Sequence, residues 1–567
     1  MKKYDLNATT IGFLIALAAF FGVFLFYPVS LSLWQAFFAD GKFTLEYFRL
    51  LLASPLQREA LANSFLIAIL TTGATTLLTL PLAALMTRFD FRGKALLSGL
   101  LLVPMIMPPF VGAIGLKQLL ARFGSVNLLL MDAGFKPVDW LGQGGFWGIV
   151  ALQVMNLYPI MFLNVSAAMA NVDPSLREAA QNLGANSWRL FRTVTLPLIL
   201  PGYFAGAIIV FIWAFTDLGT PLIFGYARVV PVQIFDAVTE INTNPMGYAL
   251  VVFVLVLTVA LFVISKQVLA GRRYEMLARG HTAGAEAKAT PRQTALIWTV
   301  MLGVIGLALL PHLAVIVYSL ADRWFMSVGP DGWTLENYQK IFSHGLTLSS
   351  IRNSLVYSSF SAGLDLVLGV TIAWLLTRRR IPLAGLLDAL AMLPLALPGL
   401  VLAFGYVAGF DNFKNRWLNE YLNPRNNPTL LLIISYSVRR LPYIVRSAYA
   451  GFQQTSVTLE EASANLGASP FRTLRKITLP LVMANLIAGT ILTFSFAMLE
   501  VSDGLILAMK DQYYPITKMI YQLMLHIDPK TPGVACAMGV VGMAILTVSL
   551  IVAGKILGKK MGQLFRA

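Results

Sequence analysis

EAAQNLGANSWRLFRTVTLP occupies residues 178–197, and EASANLGASPFRTLRKITLP occupies residues 461–480. Eleven of the twenty positions are identical without a gap, at an offset of 283 residues. A match of this length marks an internal repeat, which constrains the architecture before any single element is assigned. Outward from this segment, TLEYF at Thr44 returns as TLENY at Thr334, an offset of 290. Asn63–Ser64 and Asn353–Ser354, Thr87–Arg88 and Thr377–Arg378, and Pro104 and Pro394 keep that offset. A small deletion in the second copy, between its third and fourth spans, accounts for the change to 283.

The composition says what kind of unit is repeated. The chain has 567 residues, 57% of them hydrophobic and 12% charged. A soluble protein carries about 25% charge, so a water-facing surface of this size would lack ionised groups, and a bilayer must solvate most of the chain. The net charge of +16 does not point to nucleic acid. Its residues fall in short runs between apolar stretches, as expected for loops held on the cytoplasmic side of a membrane. A single cysteine, Cys536, excludes an internal disulfide framework. The four histidines are scattered, without metal-ligand spacing. The N-terminus, MKKYDLNATT, runs into an apolar stretch that reaches Leu33, too long for a signal-peptide core and read as a retained first helix.

About twelve stretches approach the roughly 20 apolar residues that a spanning helix needs. Six lie in residues 1–269, among them Leu97–Leu119 and Tyr203–Phe224. Six lie in residues 295–567, among them Ala384–Phe410, Thr429–Ala450 and Leu481–Ile506. Prolines 104, 108 and 109 interrupt the third span, and Pro394 and Pro398 the ninth. Residues 270–294 are polar and basic and read as a linker. Loop Arg88–Lys94 holds three basic residues and one acidic, Arg378–Arg380 is three arginines, and Lys266–Arg292 holds six basic and two acidic. These loops, and both termini, are therefore expected in the cytoplasm. An even number of spans per half makes the halves parallel. The expected fold is an all-α integral membrane protein with two tandem, parallel repeats of about six transmembrane helices.

The repeated segment lies between the fourth and fifth spans of each half. Ser175-x-x-Glu178 and Thr458-x-x-Glu461 read as capping boxes that open short helices. Gly184 and Gly467 are placed to end them. Arg189 and Arg472 correspond, and Leu196–Pro197 and Leu479–Pro480 lead into the next span. The segment resembles the EAA loop of ABC-importer permeases. Glu178, Ala179, Ala180, Gly184 and Pro197 fit it in the first copy. Glu461, Ala462, Gly467 and Pro480 fit it in the second, where Ser463 replaces the third small residue. The resemblance, to fused permeases of the type I importer fold, covers nearly the whole chain. It implies that each loop seats on one of two ATP-binding-cassette ATPase subunits, and that an extracytoplasmic solute-binding protein delivers the cargo. It also implies a multi-pass protein of the bacterial inner membrane, surrounded by lipid. The sequence has no GxxxxGK[ST] phosphate loop, so ATP and magnesium are expected on the partner subunits, with no cofactor on this chain.

Ionisable residues at membrane depth are candidates for function. Asp217 in FIWAFTDLGTPLIF aligns with Glu500 in FSFAMLEVSDGLIL, with Asp503 three residues beyond. Arg439 and Arg440 fall in the tenth span, where the first half has Asn156 and Leu157. These residues are expected to gate or line a pathway, or to hold helices together by internal ion pairs. Overall similarity is greatest to fused ferric-iron permeases, which implies iron(III). Very similar permeases carry 2-aminoethylphosphonate, other organophosphonates or phosphate esters, and that is the alternative. Carboxylates suit a hard cation and arginines suit an anion. A secondary transporter driven by an ion gradient would share the helices and the buried charges, but not two EAA-type loops.

Overall fold

The computed structural model describes residues 7–39, 41–106, 108–142, 144–241, 243–271, 287–411, 414–526, 528 and 530–557. Its helices form two matching series. The first runs α1 (Ala8–Phe37), α2 (Pro55–Arg88), α3 (Pro109–Leu120), α4 (Phe146–Ala170), α5 (Pro174–Asn182), α6 (Ser187–Thr216), α7 (Val230–Ala237) and α8 (Met246–Gly271). The second runs α9 (Pro291–Ser319), α10 (Gly345–Arg378), α11 (Gly399–Gly409), α12 (Thr429–Gln454), α13 (Val457–Asn465), α14 (Phe471–Met498), α15 (Ile516–Leu525) and α16 (Thr531–Leu557). Most of the expected linker, residues 272–286, lies outside the described residues. Of its remainder, Ala287–Lys288 pairs in parallel with Phe89–Asp90, and α9 already begins at Pro291.

Among the described residues, nine helices are long and apolar enough to cross a bilayer: α1, α2, α4, α6, α8, α9, α10, α14 and α16. Two bent pairs bring the number to eleven. Lys94–Met105 meets Pro109–Asp132 at 86°, and Ala384–Ala396 meets Gly399–Gly409 at 99°. The bends fall at the expected prolines, which lack an amide hydrogen and clash with the preceding turn. α12 is 26 residues long, but Arg439, Arg440 and Arg446 make it too polar to pass on composition. It packs against α10 and α14, which shield it, and it completes the twelve.

The fifth and eleventh spans differ from their sequence reading in one respect. The helices begin before the Leu-Pro pairs, not after them. Each absorbs its proline through one π-helical turn, Phe191–Thr195 and Leu474–Thr478. The widened turn leaves room for a ring that has no hydrogen to donate.

The first helix of each half packs on the other half. α1 lies on α11, and α9 lies on α3. The Tyr27 hydroxyl donates to the Gly409 carbonyl at 3.1 Å, and the Tyr406 hydroxyl to the Phe24 carbonyl at 2.7 Å. Two glycines make the approach close enough. A Cβ on Gly405 would lie 2.8 Å from the Pro28 carbonyl oxygen, and one on Gly115 would overlap the Pro311 carbonyl oxygen. Overpacking of this kind costs about 1–3 kcal/mol or more. Gly115→Val is therefore expected to lower the yield of monodisperse protein after detergent extraction. Gly303→Val, on an open face of α9, is expected to leave it unchanged. Equal yields from the two variants would show that the close approach is dispensable.

The repeated Asn-Ser pair also acquires a role. The Ser64 and Ser354 hydroxyls accept from the Val230 and Ile516 amides at 2.9 and 2.8 Å. The Asn63 and Asn353 amides donate to the Arg228 and Gln512 carbonyls. Each pair fixes the start of α7 or α15, the short helix that follows a broken span.

Candidate functional site

Asp217 and Glu500 stand where their helices stop. α6 ends at Thr216, Asp217 turns to extended conformation, and a short helix, Gly219–Phe224, follows. α14 ends at Met498, and Ser502–Leu507 follows. A break strips backbone groups of their intrahelical partners, and nearby side chains take some of them up. Asp217 Oδ1 accepts from the Thr220 amide at 3.4 Å, and Thr517 Oγ1 donates to the Glu500 carbonyl at 2.9 Å. The apolar stretches Tyr203–Phe224 and Leu481–Ile506 run through both carboxylates without a break in the sequence, so the helix ends here differ from expectation. Discontinuous helices of this kind are a recurrent way to present polar groups at membrane depth.

The two breaks meet at a cavity of about 210 Å³ between the halves. Asp217, Gln153 and Asn156 line it from the first half, and Arg439, Arg440 and Glu500 from the second. Trp213, Tyr443 and Phe496 add aromatic walls. Glu500 pairs with both Arg439 and Arg440, and Arg440 lies 5.6 Å from the Phe496 ring. Asp503 is outside the lining. It is fully buried behind Arg439, which it meets at 3.3 Å, and it accepts from Ser435 Oγ at 2.9 Å. Asp217 is held by neutral groups instead. Gln153 Nε2 donates to it at 3.2 Å, and Gln153 Oε1 accepts from Thr71 Oγ1 at 3.1 Å. The same cavity thus has one wall of ion pairs and one wall of amides and hydroxyls.

One buried carboxylate escaped the sequence reading. Asp365 on α10 is fully buried and accepts a hydrogen bond from Ser437 Oγ. Its counterpart at the 290 offset is Thr75, so the repeat did not flag it. Its isolation in an apolar run was the only available signal.

α5 and α13 lie at equivalent places. Their caps are Asp173 and Ser456, not Ser175 and Thr458. Asp173 Oδ1 accepts from the Ser175 amide at 2.9 Å, and Ser456 Oγ accepts from the Thr458 amide at 3.3 Å. These bonds start the helices two residues earlier than a capping box would, so Glu178 and Glu461 lie mid-helix with exposed side chains. The hydrogen bonds from Ser175 hold the Asp173 carboxyl below its ordinary range, so this cap persists down to lower pH than a free aspartate would allow. Gly184 and Gly467 do end the helices, in left-handed conformation at φ 78° and 79°. The Ala185 and Ala468 amides close the turns onto the Ala180 and Ser463 carbonyls. Ser463 is buried and bonds Thr473 Oγ1 at 2.9 Å, so the departure from alanine is absorbed internally. Ala179, Ala462, Arg189 and Arg472 are exposed, and Pro197 and Pro480 sit just past the π turns.

Around these helices, three apolar pairs at the 283 offset face outward. Leu183 and Leu466 are 88% and 89% exposed, Trp188 and Phe471 are 67% and 71% exposed, and Leu176 and Leu459 are similarly placed. Matched apolar exposure in two copies marks contact surfaces. These residues were not among the expected site residues, although their recurrence in a polar loop is visible in the sequence.

The family model described as "Binding-protein-dependent transport system inner membrane component" matches residues 79–274 and again 366–563. The chain is 29% identical over 512 residues to the putative ferric transport system permease protein FbpB 1 of Haemophilus influenzae, covering 88% of this chain and 77% of that protein. It is 27% identical over 565 residues to the ferric transport system permease protein FbpB of Actinobacillus pleuropneumoniae, covering 96% and 78%. Among solved structures, a bacterial ABC transporter involved in the import of the acidic polysaccharide alginate matches at 19% identity and a TM-score of 0.39. That match covers 47% of this chain and 96% of the other.

Proposed function

Because the chain belongs to the family of binding-protein-dependent transport system inner membrane components, we propose that it forms the complete membrane pathway of an ABC importer for iron(III). As a permease subunit it carries both family repeats on one chain. The observation that carries the proposal is the cavity at the junction of the halves, where each half ends a broken helix in a carboxylate. The ferric permeases matched over most of the chain support iron(III) as cargo. The occupied state of the carboxylates is compatible with transit. Glu500 on the cavity wall is already engaged by both guanidinium groups, so cargo would meet competed, weak contacts there. A pathway needs entry and exit rather than tight holding.

The proposed cycle is alternating access. ATP draws two ATPase subunits together, and α5 and α13 move with them. The halves then rock about the cavity, opening it to a docked, loaded binding protein. Hydrolysis returns them. A second reading, import of an organophosphonate, is favoured by Arg439 and Arg440 on the cavity wall, since guanidinium forks match phosphonate oxygens. ATPase activity of the complex in lipid, with its binding protein loaded in turn with ferric iron and with 2-aminoethylphosphonate, separates the two. Stimulation by the ferric form alone is expected. Stimulation by the phosphonate form alone would replace iron as the cargo, and a response to neither would reject both.

A further inference from the structure

The two docking helices are attached to the membrane helices in opposite ways. In the second half, Arg378 at the end of α10 reaches Glu460 in the first turn of α13 at 2.9 Å. The pair is largely buried, at 7% and 18% side-chain exposure. Arg378 also donates to the Phe452 and Thr455 carbonyls and lies over the Phe452 ring. α13 is therefore latched to α10 and α12 by a closed, neutral cluster.

The repeat supplies the counterparts. Arg88 ends α2 as Arg378 ends α10, at the 290 offset, but Glu460 is matched at the 283 offset by Arg177. The first half thus places a cation where the second has an anion. Arg177 lies in the first turn of α5, whose amide ends already favour negative charge. Burial, and then the charge of Arg88, push its guanidinium below the ordinary value. Its Nε is buried with no hydrogen-bond partner among the described residues. Arg88 makes no ion pair among the described residues and only lies over Phe89. Like charges and a helix N-terminus both disfavour this arrangement, and a carboxylate between the two arginines would relieve both.

We infer that the ATPase subunit seated on α5 inserts an acidic side chain between Arg88 and Arg177, filling from outside the place that Glu460 fills from within. The inference rests on the importer reading above. It makes the two ATPase contacts chemically distinct: one shares an intermolecular ion pair, and the other meets a loop whose charges are already paired.

The test uses the full chain co-expressed with its ATPase subunits. The wild type is expected to retain them through purification. Arg177→Glu forms an internal pair with Arg88 and repels the incoming acid, so retention on the first half is expected to fall by roughly ten-fold or more. Native mass spectrometry would then show complexes with one ATPase subunit. Arg177→Lys keeps the charge, and a zero-length carbodiimide is expected to join Lys at that position to an Asp or Glu of the ATPase subunit. Wild-type retention by Arg177→Glu, or Arg177→Lys cross-links confined to this chain, would overturn the inference. A wild type that retains no ATPase subunit would instead remove the importer reading, and the inference with it.

Discussion

Glu500→Ala is expected to lower the melting temperature of the purified protein by roughly 3–5 °C and to abolish transport. Glu500 is 4% exposed and neutralises both Arg439 and Arg440. Its loss leaves Arg440 without an ion pair among the described residues, while Arg439 keeps Asp503. Removing one partner of a buried pair costs about 3–5 kcal/mol, because the remaining charge stays desolvated. The same reasoning makes a second result diagnostic. In Glu500→Gln with Arg440→Gln both charges of the pair are gone, and the double variant should recover more than half of the stability lost by Glu500→Gln alone. A thermal-melt cycle over the four proteins measures this coupling. Additive losses would mean that the ion pair contributes little to holding α12 against the α14 break.

Replacing both Gly184 and Gly467 by valine is expected to uncouple ATP hydrolysis from uptake while leaving the protein inserted. Both glycines adopt left-handed backbone, where a β-branched residue is strained by roughly 1–2 kcal/mol. Neither has an atom within 4 Å of an added Cβ, so within this chain the substitution meets no obstacle. The valine side chains would project from the exposed surface beside Leu183 and Leu466. An Asn pair at the same positions separates the two causes, because asparagine tolerates left-handed backbone. Coupling retained with Asn would assign the glycines to the turn alone. Coupling lost with Asn as well would assign them to close approach by the ATPase subunit. Normal ATP-driven uptake by the valine variant would remove the loops from coupling altogether.

The fold was largely legible because a bilayer imposes length and apolarity on every spanning helix. Prolines 394 and 398 marked a bend because their chemistry is local. The starts of α6 and α14 were misread because a π turn can carry a proline through a helix, and nothing in the residue pattern announces that turn. Asp217 and Glu500 were recognised as a pair from the repeat, yet their place at helix breaks depends on packing. Gly219 illustrates this: a Cβ there would lie 2.9 Å from Phe110 Cβ and 3.1 Å from Val501 Cγ1, one neighbour in each half. The helix caps were placed two residues late because Ser175 and Thr458 have a glutamate three residues on, as a capping box requires, whereas Asp173 and Ser456 have a leucine there. Pro174 at the first helical position favours the earlier start. Asp365 and the Arg177–Glu460 difference show the limit of reading by similarity. A repeat draws attention to what recurs, and here informative chemistry lies where the copies disagree.

The exchange of first helices sets a schedule for biogenesis. Tyr27 and Gly409, like Phe24 and Tyr406, are 382 residues apart. At about 5–20 residues per second, a ribosome needs roughly 20–80 s to make the chain between them. Throughout that interval α1 is in the membrane while the α11 surface it will cover does not yet exist. The newborn first half therefore waits with an unfinished flank, which lipid or the insertion machinery must occupy. Its last packing step is displacement of that temporary neighbour, long after its own six helices have been inserted.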